Sequence, residues 1–67
     1  MGYVYEEIVE IEGKQKRITL IEIHANDEIE AEDIATSYSE DLEKDISEEY
    51  GYPLYDVHVE CVPLYHI

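Results

Sequence analysis

Residues 27–51, DEIEAEDIATSYSEDLEKDISEEYG, decide the fold. Ala31, Ile34, Ala35, Tyr38, Leu42, Ile46 and Tyr50 recur at spacings of three and four, the period of an amphipathic helix. Asp27 followed by Glu30 three positions later has the form of a capping box. Glu28, Glu30, Glu32 and Asp33 crowd the first turns, where the helix dipole favours negative charge. Gly51 suits the left-handed position that ends a helix, and Pro53 forbids continuation.

Upstream of this helix the hydrophobic period falls to two. Tyr3, Tyr5, Val9 and Ile11 alternate with Val4, Glu6, Ile8, Glu10 and Glu12, so residues 3–12 read as a strand, with a bulge expected at the irregular Glu6-Glu7. Gly13 lies in a segment, 12–16, with turn character. Residues 17–25 form a second run rich in β-branched residues. The two runs are expected to pair as a hairpin with Lys14, Lys16 and Arg17 at its tip.

Downstream, residues 54–62 read as a third strand, with Tyr55, Val57, Val59 and Cys61 facing inward and Asp56, His58 and Glu60 outward. Pro63 is expected to end it, leaving Leu64–Ile67 as an edge segment or packed tail. The order ββαβ predicts an α+β fold: a three-stranded, mainly antiparallel sheet with one helix across one face. Its 67 residues read as one acidic domain, 1–67, with no linker or repeat. A domain of this size buries only about 60% of its unfolded surface and has little room for a deep cleft, which argues against an enzyme.

Charge is the strongest functional signal. Eighteen Asp and Glu oppose four Lys and Arg, a net −14, and outside residues 14–17 the only base is Lys44. Self-repulsion on that scale opposes compaction, although it favours solubility. Disorder is not expected, because 45% of residues are hydrophobic and they are patterned. Phosphate would be repelled, so direct nucleic-acid or anionic-membrane binding is not expected, and a basic partner is favoured. Glu outnumbers Asp thirteen to five, which does not single out adaptation to high salt.

Between Asp27 and Glu49 there are eleven acids and one Lys. At 1.5 Å per residue this is roughly one carboxylate per 3 Å, near the ~3.4 Å phosphate spacing of one DNA strand. Glu32, Asp33, Glu40 and Glu43 are expected opposite the apolar stripe, with Glu30, Asp41 and Glu48 on one flank. Glu6, Glu10, Glu12, Glu22, Asp56 and Glu60 are expected on the exposed sheet face. All seven aromatics are Tyr, which suits half-exposed contact surfaces. Tyr38 and Tyr55 read as core, and Tyr50 and Tyr52, beside Gly51, as contact residues. The candidate partner-binding set is Glu30, Glu32, Asp33, Glu40, Asp41, Glu43, Glu48 and Tyr52.

Other chemistry is thin. His24 and His58, near Glu22 and Glu60, are better read as paired with carboxylates than as metal ligands. Cys61, the single cysteine, has no disulfide partner in the chain and reads as a small buried hydrophobe. No phosphate loop, zinc spacing or glycine fingerprint is present, so no catalytic residue, metal or cofactor is expected. The N-terminus has no basic region followed by an apolar stretch, and no apolar run approaches the length of a membrane span, so a cytoplasmic location is expected.

In size, charge, α+β layout and acidic clusters at Asp27–Asp33 and Glu40–Glu49, the chain resembles the small, very acidic inhibitors encoded by phages and mobile elements, among them anti-CRISPR proteins and other DNA mimics. The resemblance implies occupation of the nucleic-acid-binding channel of a bacterial defence complex such as a CRISPR effector, in the host cytoplasm. An adaptor that binds a basic protein without mimicry is the other reading. A homodimer, paired through the third strand's edge or the tail, is compatible with either.

Overall fold

The computed structural model describes residues 1–67. Its elements are β1 (Gly2–Ile11), β2 (Lys14–His24), α1 (Glu28–Tyr50), a 3-10 turn (Leu54–Asp56) and β3 (Val57–His66). The sheet order is β2-β1-β3, antiparallel throughout, and α1 packs across one face. The ββαβ, α+β architecture is therefore as the hydrophobic periods dictate.

Both helix ends follow the sequence. Asp27 is extended, and its side chain accepts the Glu30 N–H at 2.8 Å. Gly51 has φ 76 and donates its N–H to Ser47 O. The 23 residues span about 34 Å, nearly the whole 36 Å length of the molecule.

The hairpin is tighter than the sequence suggests. Ile11 pairs with Lys14, and only Glu12 (φ 53) and Gly13 (φ 78) make the turn. Positive φ at both positions is the type I′ geometry, whose twist matches that of the strands. Lys14, Lys16 and Arg17 consequently lie within β2 rather than at a loose tip.

No bulge occurs at Glu6-Glu7. The register shifts fall between Val9 and Glu10 against β2, and between Val4 and Tyr5 against β3. Glu7 therefore keeps the phase of Tyr3, Tyr5, Val9 and Ile11 and points under the helix, 1% exposed. Arg17, on the same face, donates to it at 2.6 Å, which removes the need for a bulge to turn Glu7 outward.

β3 begins later and runs further than expected. Leu54–Asp56 form the 3-10 turn, so Tyr55 is not an inward residue but 88% exposed. The strand continues through Pro63, whose missing N–H is tolerated because β3 is an edge strand. Tyr5 pairs with Pro63 and Val4 with Tyr65, leaving Leu64 as the extra residue of the bulge.

The buried apolar residues other than Val4 form two clusters. Tyr3, Tyr5, Ile23 and Ala25 pack under Ala31 and Ala35, where small helix residues admit large sheet residues. Val9, Val57 and Val59 pack under Ile46, flanked by Ile11, Leu42 and Tyr52. Glu7, opposite Cys61 in the register, lies between the two. Tyr52 is thus packed against the core, not held out at a loop. No helix is long and apolar enough to cross a membrane.

Candidate functional site on the outer face of the helix

Helical geometry divides the acids of α1 into two populations. Ala31, Ala35 and Ile46 are its buried residues. Ile34 (40% exposed), Tyr38 (43%) and Tyr50 (66%), expected in the buried stripe, lie outside it. The helix is rotated toward β3, and its inner edge is completed by a polar row at spacing four: Ser39, Glu43 and Ser47. Each member has a task. The Ser39 hydroxyl lies 3.2 Å from Cys61 Sγ and 3.0 Å from Ala35 O. Glu43 accepts the Val59 N–H at 2.8 Å, and Ser47 donates to Tyr52 O at 2.6 Å. These bonds satisfy polar groups of β3 and the turn before it, which apolar residues at the same positions would leave unpaired.

Glu43 is therefore not opposite the buried stripe. It is half-buried against β3, with its carboxylate also 3.6 Å from His58 Nδ1. Glu32 leans the same way, lining with Thr36, Ser39, Glu40, Glu43 and Glu60 a shallow groove between α1 and β3. Their common negative charge makes this groove a poor site for an anionic ligand.

Glu30, Asp33, Asp41 and Glu48 are exposed and project away from the sheet, and Glu40 is exposed at the rim of the groove. They form two packets, because residues 34–39 contain no acid. Asp33 and Glu40, the facing members, are separated by about 10 Å of helix rise. Lys44 is the one base on the helix. No last-turn residue is basic, so the negative end of the dipole adds to the charge of Glu48 and Glu49. Of the eight candidate binding residues, four thus project outward, Glu40 stands at the rim where that surface meets the groove, Glu32 and Glu43 turn to the groove, and Tyr52 packs inward.

No family model matches the chain, and no curated protein or solved structure is significantly similar to it.

The exposed sheet face is more mixed than expected. By register it carries Glu6, Glu10, Glu22 and Glu60, but also Ile8, Ile18, Leu20, Val62 and Tyr65, together with the buried Val4. Glu12 belongs to the hairpin turn and Asp56 to the 3-10 turn, so neither lies on that face. The alternation of β2 and the shifted register of β3 had to be known before this apolar content was visible.

His24 and His58 lie on opposite edge strands, one opposite Gly2 and the other opposite Glu10, so the length of β1 separates them. His24 is 3.2 Å from Glu22 and His58 3.6 Å from Glu43. No three His, Cys, Asp or Glu side chains converge as metal ligands would.

The shifted ionisations also reflect an acidic environment. Burial pushes the Tyr5 hydroxyl up, and the charges of Glu32 and Glu28 push it further. Tyr38 is raised by desolvation, then by the nearby Glu7 carboxylate. Burial raises the Cys61 thiol despite the opposing Ser39 contact. A thiol held protonated in this way is a poor nucleophile.

Proposed function

We propose that this chain is a non-enzymatic inhibitor that binds the basic nucleic-acid-binding surface of a partner protein, in the manner of a DNA mimic of the phage anti-CRISPR type. The observation that carries this reading is the outward surface of α1. Glu30, Asp33, Glu40, Asp41 and Glu48 all stand in solvent on one rigid 23-residue element. The mechanism is electrostatic substitution. Arg and Lys that hold phosphates meet carboxylates instead, and Arg binds carboxylate through two parallel hydrogen bonds, matching geometry as well as charge. A rigid scaffold limits the ordering cost on binding. Long-range attraction makes association fast and sensitive to salt. Such an inhibitor acts in the host cytoplasm and requires no cofactor.

A second reading, an acidic adaptor that binds a basic protein elsewhere than on its nucleic-acid site, draws on a different observation. Tyr50, Leu54 and Tyr55 are exposed around the end of the helix, at 66%, 50% and 88%. Phosphate mimicry has no use for such a cluster, whereas a protein contact does. Capture of partners from a bacterial lysate at low salt, followed by competition with duplex DNA and with RNA, separates the two. Mutual exclusion with nucleic acid supports mimicry. Simultaneous binding transfers the assignment to the adaptor, and retention of nothing at low salt removes both.

A further inference from the structure

We propose that β2 is a homodimerisation edge, pairing antiparallel with β2 of a second copy about a dyad at Thr19. The inference is independent of any nucleic-acid-binding target.

The sheet has two edges, and that of β3 is the more interrupted, with the outward Cys61 N–H left between blocked positions. On β3, the Val57 N–H bonds to Leu54 O, the Val59 N–H is taken by Glu43, and Pro63 has no N–H to offer. On β2 the outward groups have no such partners. Ala25 N–H donates to Met1 O and Ile67 N–H to Gly2 O, which sets the alternation along β1: odd residues turn their backbone groups to β2, even ones to β3. Thr19 and Ile21, paired with Glu7 and Tyr5, therefore bond inward, while Ile18, Leu20 and Glu22 turn N–H and C=O to solvent. None of these outward groups takes part in a bond outside the sheet ladders. The regular run 17–24, left open in this way, is a template for pairing.

The occupant is specified by the charge order of β2 itself. Three of the chain's four bases stand at its start, Lys14, Lys16 and Arg17, and Glu22 and His24 at its end. Such a strand is complementary to its own reversed copy. A dyad at Thr19 sets Ile18 opposite Leu20 of the second copy and brings Lys16, the extra residue of the bulge opposite Val9 and Glu10, to Glu22 of the second copy. Ile18 and Leu20 bring together outward-turned backbone groups, as a hydrogen-bonded antiparallel pair requires. They are 55% and 60% exposed in one copy, so the pairing also covers apolar surface.

The net charge of −14 on each copy opposes association. Two features limit that opposition. α1 packs mainly on the β3 side, so the helix acids are carried away from the dyad. At ~0.15 M salt the screening length is about 8 Å, so mainly the local Lys16–Glu22 pairs are felt across the edge.

Sedimentation equilibrium of the purified chain in about 150 mM salt tests the proposal. The expected mass is twice 7.9 kDa, falling to one copy on dilution. Lys16→Glu and Glu22→Lys, each judged folded by circular dichroism, are each expected to weaken the dimer roughly tenfold, because each swaps two cross-strand attractions for repulsions. An equimolar mixture of the two variants, and the double reversal, are each expected to restore it. Glu22→Lys is decisive, because it lowers the net negative charge. An effect of total charge alone would strengthen the dimer, and that result overturns the assignment. A monomer at every concentration, or dimers indifferent to both reversals, also overturns it and leaves the β2 bases as a guard against edge pairing.

Discussion

The Arg17 guanidinium donates a 2.6 Å hydrogen bond to the Glu7 carboxylate, and Glu7 is 1% exposed while Arg17 remains half in solvent. The pair is asymmetric: one partner is water-accessible and the other is sealed beneath the helix. Removal of Arg17 strands a buried charge, whereas removal of Glu7 releases a solvated one. Arg17→Ala is therefore expected to cost about 2–3 kcal/mol, below the usual range for fully buried pairs because Arg17 is solvated. Glu7→Leu is expected to be near neutral or stabilising, since an apolar residue there would join the two core clusters. Urea titration measures both, and equal losses from the two variants would contradict the asymmetry.

Stability should rise with added salt. At about 0.01 M salt the screening length is roughly 30 Å, so nearly every acid in a 36 Å molecule repels every other. At about 0.15 M it is near 8 Å, and only neighbours interact. With a net charge of −14 and few internal ion pairs to weaken, screening relieves more repulsion than attraction. The midpoint of thermal unfolding, followed by circular dichroism across a sodium chloride series, is expected to climb. A flat or falling midpoint would show that the acids lie within compensating networks.

At the alkaline end, three groups act in the same direction. The folded state raises Cys61 above its ordinary 9.0, and Tyr5 and Tyr38 above 10.0, burial being the first cause in each. A raised folded value means that the unfolded chain loses its proton first, so the stabilisation is intact below the unfolded value and is lost as pH rises through the folded one. Stability is expected to hold up to about pH 9 and to fall beyond it. Tyr5→Phe, compared with the parent across this range, should flatten part of the decline. An unchanged slope would place the loss elsewhere, in the growing charge of the whole chain.

The parts of the molecule legible in sequence are those where one local rule acts alone. Asp27 and Gly51 bound the helix because capping needs only a side-chain acceptor and a left-handed residue. Period-two alternation located β1. The misplacements arose where a tertiary partner decided. Glu7 reads as a defect in a strand unless Arg17, ten residues later and opposite Val9 on the partner strand, is placed beside it. Ile34 and Tyr38 outrank Ser39 and Glu43 in hydrophobicity, yet the helix turns the polar pair inward, because Cys61 and the Val59 N–H lie there. The spacing of four in Ser39, Glu43 and Ser47 was the available signal. Without the position of β3, its meaning was hidden.

That rotation decides which acids should carry binding. Glu43 holds the Val59 N–H, so neutralising it would perturb β3 as well as the surface charge. Glu40, Asp41 and Glu48 are exposed and make no hydrogen bond through their side chains, which makes them clean probes. Conversion of these three to Gln, Asn and Gln removes three negative charges without altering shape. If the outward face of α1 is the epitope, affinity for the captured basic partner should fall by about 1,000-fold or more, at roughly 1.5 kcal/mol for each of the three charge-assisted contacts. The dependence of affinity on salt should weaken in parallel. Glu10→Gln with Glu12→Gln, removing two charges at the hairpin end, should cost only a few-fold, through the general field of the molecule. Binding isotherms for both sets at two salt concentrations distinguish a localised epitope from diffuse attraction, and comparable losses per charge removed would reject the helix face.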